Sequence, residues 1–572
     1  MKVLVFAKQI PDVNGIGFDP VTNRIIRENV PLQMNSFDRK GVEEAIRIKE
    51  KLGWETAVAT MGPPSAADII NTSLRMGVDK GFLITDRAFV GSDTLVTSRI
   101  LSSMVNYYGP DLVITGKYSL DGETSQVPPE LSKLCGFSFI SSVSRLEING
   151  STCIVDQDKE RSVVTSKIQL PAVISVSEKI NRARAVRPET PDMTARVEIL
   201  DSGKLKVNIS GVKDSPTIVS GTEKIESTRK VEYLEAGEET YKKILELISR
   251  RSGREDQPII LHQAIGEGEV LGIAASDPEV AMEIASKNAD LARQDNLSTL
   301  MIGNIDPVDL NGMPVHRYIY ANESHNECLA DFIAQHIVKH KPRFVVFPST
   351  IDGREIAAFV AADLGLGLTA DCIDLKMENG KLIQYKPAFG GGIVARIYSR
   401  TDPAMATIRP GIFKKRISKE EFRLELPEFT CKPRIQRISE TKVPAEYLPL
   451  TNSSVVLGVG KGIRKPDNVK PAMRLAMILN ASLGATRPIV DFGWVPRQQQ
   501  IGLTGTAISP DTYIAIGISG HDNHMVGTRY AGKIIAVNTD RNAQIFQYAD
   551  FGIVEDAMDF IKGFTEYIET HR

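Results

Sequence analysis

Several short runs of glycine, serine, threonine and asparagine carry the chemistry this sequence can offer. Ser519-Gly520-His521-Asp522-Asn523-His524 follows the apolar run 513–518 and precedes Met525-Val526-Gly527. A strand that ends in Ser-Gly and opens a helix presents unpaired backbone N–H groups and the positive end of the helix dipole. Together these suit a pyrophosphate. Gly458-Val459-Gly460-Lys461-Gly462 keeps the backbone bare for close approach of a ligand. Gly484-Ala485-Thr486-Arg487-Pro488 follows a run that reads as helix, which Gly484 can terminate. Gln500-Ile501-Gly502-Leu503-Thr504-Gly505 is a polar, glycine-rich turn, and Asn538 closes the strand-like run 534–537. Any one of these is also what an ordinary α/β turn needs. Several at the ends of successive strands predict a shared nucleotide site.

A second set lies in the N-terminal half. Gly91-Ser92-Asp93-Thr94-Leu95-Val96-Thr97-Ser98 opens a helix with residue types that cap backbone N–H groups. Asp121-Gly122-Glu123-Thr124-Ser125-Gln126-Val127 follows the apolar run 112–115 and opens another helix. No nucleophile–base pair and no catalytic carboxylate pair stands out. Cys135, Cys153, Cys328, Cys372 and Cys431 lack metal-ligand spacing, so neither a metal site nor an iron–sulfur cluster is expected. Their scatter reads as reduced, buried thiols in a cytosol-like compartment.

Positioning these loops requires a particular architecture. Residues 2–6, 112–115, 344–347, 455–459, 513–518 and 534–538 read as buried strands alternating with amphipathic helices, such as the segment from Gly41 bearing Val42, Ala45 and Ile46. That alternation predicts α/β, doubly wound parallel sheets with ligands beyond the carboxyl ends of the strands. The 572 residues exceed one core, and the net charge of −2 argues against general nucleic-acid binding. No apolar run reaches transmembrane length, and the N-terminal apolar run, followed by Lys8 and a Pro-Asp turn, reads as a strand. One internal echo is visible: a strand, a Ser-x-(x)-Asp-Gly turn and a helix recur after 112–115 and after 344–347. The polar stretch 201–258 reads as an extended arm with one docking helix, striped by Tyr241, Ile244, Leu245 and Ile248. A linker at 250–257, a new strand from Pro258 and a polar hinge at 434–452 divide the chain into units 1–250, 258–433 and 454–572.

The run Gly-Ala-Thr-Arg-Pro-Ile-Val-Asp-Phe-Gly-Trp-Val-Pro from Gly484, with Gln-Ile-Gly-Leu-Thr-Gly, Gly-Ile-Ser-Gly and Ile-Phe-Gln-Tyr-Ala-Asp-Phe-Gly, resembles the FAD domain of the alpha subunit of electron transfer flavoproteins. Thr369-Ala370-Asp371-Cys372, Pro387-Ala388-Phe389-Gly390-Gly391 and the run from Met405 to Gly411 resemble that subunit's first domain. Lys8-Gln9, Met34-Asn35-Ser36-Phe37-Asp38, Met61-Gly62-Pro63-Pro64 and Gly116-Lys117 leading into Asp121-Gly122 resemble the beta subunit. The order, beta then alpha, implies a fusion in which one chain does the work of a heterodimer.

The resemblance implies roles. Arg487 lies against the isoalloxazine ring, Thr504 bonds near flavin N5, and His524 faces the N1–C2=O edge, where preorganised donors stabilise developing negative charge. Lys461, Thr486, Gln500, Ile501, Gly502, Leu503, Ser519, Gly520, His521, Asp522, Asn523, Asn538, Asp556 and Ala557 complete the FAD contacts. Leu503 stands where the family usually has Gln, and Lys461 where Arg is common. In the beta-like half, Phe6, Asn35, Ser36, Phe37, Asp38, Met61, Asp93, Thr94, Thr97, Asp121, Gly122, Glu123, Thr124, Ser125, Gln126 and Val127 line a second pocket. This pocket holds AMP in simple carriers and a second FAD in electron-bifurcating ones; the motifs resemble the second branch more. Pro128 replaces a usual Gly.

The implied function is an electron carrier between dehydrogenases, such as acyl-CoA dehydrogenases, and a quinone-reducing, membrane-associated flavoprotein, in the cytoplasm. The Arg-rich run 180–188 is the expected docking loop, although no leucine anchor is visible in it. An NADH-oxidising bifurcating flavoprotein and a non-redox nucleotide-binding regulator are the alternatives. Cofactor count and an anaerobic NADH test separate them.

Overall fold

A computed structural model describes the chain except residues 12–16, 20–23, 27–30, 225–228, 250–258, 263, 265–267, 276, 389–391, 452 and 572. The expected linker at 250–257 and strand start at Pro258 lie outside the described residues.

The first unit is built on a sheet whose central parallel strands run Lys80–Ile84, Glu55–Met61, Lys2–Phe6, Leu112–Gly116, Ala172–Val176. Its first strand therefore sits between the second and the fourth. The carboxyl edge between Lys2–Phe6 and Leu112–Gly116 is a topological switch point, where ligands of such sheets bind. The strands are apolar throughout because helices cover both faces: Val3, Leu4, Val5, Val113 and Ile114 have no exposed surface. The helix expected from Gly41 begins earlier, spanning Ser36–Leu52.

The second unit repeats this order in Arg317–Tyr320, Ser298–Gly303, Glu269–Ala274, Phe344–Pro348, Ala404–Ile408. The echo seen in the sequence falls on equivalent strands, Leu112–Gly116 and Phe344–Pro348. The helices that follow them, Val127–Cys135 and Ile351–Leu364, pack against each other between the units.

The C-terminal sheet runs Ser482–Ala485, Val455–Val459, Thr512–Ile516, Lys533–Asn538, Phe551–Val554, all parallel. A sixth strand, Glu232–Leu234, comes from the polar arm and pairs with Phe551–Val554. The docking helix Glu238–Ser249 follows it, and its Tyr241 and Ile244 are buried among Phe560, Phe564 and Ile568 of the last helix. The arm also supplies Thr217–Lys224, which pairs with Ile393–Ser399 of the second unit. These strands escape a hydrophobicity reading because an edge strand wet on one or both faces shows little apolar pattern.

Two further expectations are corrected. Gly484 lies inside the strand Ser482–Ala485 rather than at a helix end; a Cβ there would stand 2.3 Å from Ile501 Cδ1. The first part of the polar hinge is the strand Ile435–Lys442, which adds to the first unit's sheet beside Ser162–Gln169. The expectation of wholly reduced thiols also fails. Cys328 and Cys431 are joined in a disulfide across 5.7 Å between Cα atoms, while Cys135, Cys153 and Cys372 are free. The fold brings together two residues whose sequence spacing says nothing. Among the described residues no helix is long and apolar enough to cross a membrane, and no His/Cys/Asp/Glu group could hold a metal.

Candidate functional site: two switch-point pockets

In the C-terminal unit the switch point lies between Val455–Val459 and Thr512–Ile516. The two loops leaving it touch through glycine backbone: a Cβ on Gly460 would stand 2.4 Å from Gly517 O, and one on Gly462 would stand 2.5 Å from Gly517 Cα. Gly520, at φ +88, leaves no room for a side chain beside Ile545. The close approach is itself hydrogen-bonded: Gly460 N donates to Ile516 O and Gly462 N to Gly517 O, so the glycines fix how the two loops meet at this edge. Thr486 begins the next loop; its Oγ1 is buried and has no partner. A buried hydroxyl left without a bond is costly, so it points to a missing acceptor or donor. Lys461 is exposed, and Arg487 is 56% exposed, held by its own Asp491 at 3.2 Å. Both cations stand at the mouth of the site.

The turn from Gln500 is self-braced. Thr506 N donates to Gln500 O, and Gln500 Nε2 donates to Thr504 Oγ1 at 2.9 Å. Leu503 N donates to Asn523 O at 2.7 Å. Gly502 has φ +129, and a Cβ would meet Asn523 O at 2.5 Å. Thr504 is thereby held at the turn's tip, its carbonyl also accepting from Arg497.

Several expected ligands are committed elsewhere. His524 is buried, with Nε2 bonded to Tyr513 Oη at 2.7 Å and Nδ1 to Ile501 O at 3.2 Å. Burial pulls its pKa down to about 4, so it is a neutral core imidazole here rather than a free donor facing a ring edge. Asp522 accepts from Tyr548 Oη and Gln544 Nε2, fastening its one-turn helix to the neighbouring loop. Asn538 donates to Ile518 O and accepts from Asp540 N. Asp556 pairs with Arg464 and caps the last helix, which Ala557 begins. Ser519 and His521 remain exposed, and His521 caps the short helix.

In the first unit, the loop after Leu112–Gly116 reaches across its switch point. Asp121 is paired with Lys8 at 2.7 Å, which draws together the ends of the first and fourth strands. Glu123 and Ser125 both adopt positive φ, 53° and 57°, so the loop is strained away from ordinary extended backbone. Gly122 O accepts from Lys386 Nζ of the second unit, and Ser125 Oγ accepts from Arg354. Gln126 links Thr94 Oγ1 to Leu368 O. Thr124 Oγ1 accepts from Gln126 N, and Val127 starts the helix, so Pro128 falls in a first turn where its missing N–H costs little. Phe6 is buried and Met61 and Thr97 are half-buried, and Thr60 Oγ1 is buried without a partner.

Here too some expected ligands are structural. Asp38 accepts from Lys8 N at 2.8 Å and Gly116 N at 2.9 Å beneath the pocket; burial raises its pKa to about 7. Asp93 caps its helix through Val96 N and takes Thr217 N and Oγ1 on its other oxygen. Asn35 and Phe37 are buried, whereas Ser36 is exposed. The run 180–188 is strapped to the helix Ser36–Leu52: Arg184 pairs with Glu43 and Glu50, which leaves Arg182 and Arg187 exposed.

A model of the electron transfer flavoprotein domain matches residues 22–204 and again 281–436, and one of the electron transfer flavoprotein FAD-binding domain matches 449–529. The chain belongs to the electron transfer flavoprotein family. Among its curated relatives is the electron transfer flavoprotein subunit beta of Thermoanaerobacterium thermosaccharolyticum, 35% identical over 39% of this chain and 87% of the relative. The alpha subunit of the same organism is 35% identical over 42% of this chain and 76% of its own length. Protein FixB of Bradyrhizobium diazoefficiens is 37% identical over 43% of this chain and 68% of its own. This electron transfer flavoprotein thus carries beta-like and alpha-like parts in one polypeptide, and its repeated domain explains the echoing strand order.

The C-terminal residues fit FAD. The touching glycines form a cradle that a Cβ would fill, Thr486 offers an orphaned hydroxyl, and Lys461 and Arg487 supply cations for a pyrophosphate-bearing ligand. Residue-type reading missed Tyr118 and Glu178, which reach the Thr504 turn from across the unit boundary, Glu178 through Arg497, and Arg354, Asp371 and Arg409, which line the same cleft of about 810 Å³. None lies in a glycine-rich run, which is why loop composition did not mark them.

Proposed function

We propose that this chain accepts electrons from flavin-dependent dehydrogenases, acyl-CoA dehydrogenases among them, and delivers them to a membrane-associated, quinone-reducing flavoprotein. The observation that carries this reading is the cradle of touching glycines at the C-terminal switch point, with the buried, unpartnered Thr486 hydroxyl at the end of the adjacent strand and the exposed cations Lys461 and Arg487 on the segments that follow these strands. When bound there, FAD supplies the electron-accepting chemistry. The chain's residues bind and orient it: Lys461 and Arg487 present fixed positive charge, and Gln500 holds the Thr504 hydroxyl in place. The unit 454–572 swings on the stretch that follows the strand Ile435–Lys442, moving the site between donor and acceptor. The test is anaerobic mixing of the purified chain with a substrate-reduced acyl-CoA dehydrogenase. Bleaching of a visible flavin band is expected; a colourless protein, or a flavin that stays oxidised, overturns the reading.

The beta-like pocket holds a second FAD in this proposal. The Asp121–Lys8 pair and the strained Glu123–Ser125 backbone shape the loop at the first unit's switch point. Heat release should give two FAD per chain; one FAD with one AMP overturns this part. Rapid bleaching by NADH alone would move the assignment to the bifurcating branch.

A further inference from the structure

The turn that carries Thr504 does not rest on its own unit alone. Tyr118, in the loop after Leu112–Gly116, donates its hydroxyl to Leu503 O at 2.7 Å. The Leu503 side chain packs with Tyr118 against an apolar cluster of Ile10, Phe37 and Leu120 from the first unit. Leu503 is the position where the family usually carries Gln. The side chain that could have offered a polar contact is here an apolar one turned to the neighbouring unit. Glu178, also of the first unit, pairs with Arg497, whose guanidinium donates to Thr504 O.

Tyr118 is equally bound at its other end. Its carbonyl accepts from Asn35 Nδ2 at 3.0 Å, and Asn35 Oδ1 accepts from Leu120 N. Its ring stacks obliquely on Phe37 at 4.9 Å. Asn35 and Phe37 begin the helix beside the first unit's switch point. One residue therefore joins the two loops nearest the beta-like pocket to the tip of the C-terminal turn. A hydroxyl–carbonyl bond in a partly dry cluster has two sharp states, made and broken, which suits a contact between units that separate and re-dock.

We propose that Tyr118 and Leu503 form the latch between the first unit and the C-terminal unit, with Tyr118 acting as a positioning residue for the Thr504 turn. The proposal rests on the reading that this turn lies against a bound flavin. While the latch is closed, the turn is fixed by one bond to its backbone and one apolar seat for its side chain. Opening it frees Leu503 from the cluster and leaves Tyr118 attached to Asn35 and Phe37. Electron transfer with the C-terminal unit docked then requires Tyr118, whereas retention of the cofactor does not.

The experiment compares the full-length wild type with Tyr118→Phe and Leu503→Gln. Flavin content, the flavin midpoint potential and amide hydrogen exchange across 500–506 are measured on each. Tyr118→Phe should keep its flavin and its thermal midpoint, yet exchange this turn about three- to tenfold faster, the effect of losing one hydrogen bond. Leu503→Gln should accelerate the same amides and shift the potential. Exchange in 500–506 unchanged in both variants overturns the latch. So does acceleration spread evenly over all three units, which marks a merely structural residue. A wild type purified without flavin instead overturns the proposed function, and the exchange comparison still reports separately on the contact.

Discussion

The loop after Leu112–Gly116 and the loop after Phe344–Pro348 start from equivalent strands and end in opposite states. In the first unit the connection is long, runs through two residues at positive φ and lines the cleft of about 810 Å³ together with residues of the second and C-terminal units. In the second it is short, and the helix start at Ile351 is met by side chains of the first unit. Thr350 Oγ1 caps Gly353 N, and the Glu160 carboxylate, reaching from the first unit, accepts from Ile351 N at the helix start. Lys159 pairs with Asp352 at 2.6 Å. Glu355 is bonded to Ser141, Gln157 and Asn326, and burial lifts its pKa to about 7. A helix N-terminus attracts an anion wherever one is available. In the second copy of the scaffold that place goes to a carboxylate of the neighbouring unit, and the helix start becomes part of an interface. Duplication of a fold therefore duplicates the opportunity for a ligand without duplicating its use.

The contrast can be broken most severely at Asp371. Burial alone would raise its pKa, but Arg409 and Arg354, on its two oxygens, pull it well below the usual carboxylate range. Asp371→Ala leaves the buried Arg409 unpaired and should cost about 3–5 kcal/mol in urea unfolding. Glu130 tests the first unit. It is buried beneath the Thr94–Gln126 contact, bonded to Ser98 and Thr94, and desolvation raises its pKa from 4.5 to about 8. The folded chain then holds a proton that the unfolded chain releases, so the Glu130 contribution to stability falls as pH rises from 4.5 to about 8. Glu130→Gln should remove that slope, with its largest gain, roughly a few kcal/mol, at the alkaline end. Thermal midpoints across the window check it. Glu160→Ala is the mildest cut. It frees Ile351 N and should cost about 1 kcal/mol. On the proposed second site it should also leave nucleotide content on gel filtration unchanged, whereas Asp121→Ala, in the loop at the first unit's switch point, should lower it.

Much of the architecture was legible because buried parallel strands are continuous apolar runs. The strands Lys2–Phe6 and Val455–Val459 coincide with their apolar stretches. Glu232–Leu234 and Ile435–Lys442 were not legible: they are polar, largely exposed edges whose pairing partners are remote in sequence. The same division holds at the sites. Glycines and Thr486 announce themselves by type and position. His524, Asp93 and Asp38 share the chemistry of ligands, yet their bonds go to Tyr513, Thr217 and Lys8, and only the fold decides that. Tyr118 carries no motif at all, and its importance lies entirely in what stands at its two ends.

The arm that lends Glu232–Leu234 to the C-terminal sheet has a consequence for synthesis. Its partner strand, Phe551–Val554, leaves the ribosome long after the arm does. Until then the stripe of Tyr241 and Ile244 has no socket, and the nascent chain carries an uncovered apolar helix while two further units are being made. In a two-chain arrangement that helix would wait for a separate molecule to arrive by diffusion. Here its partner is tethered, so the exposed interval is set by translation speed rather than by subunit concentration.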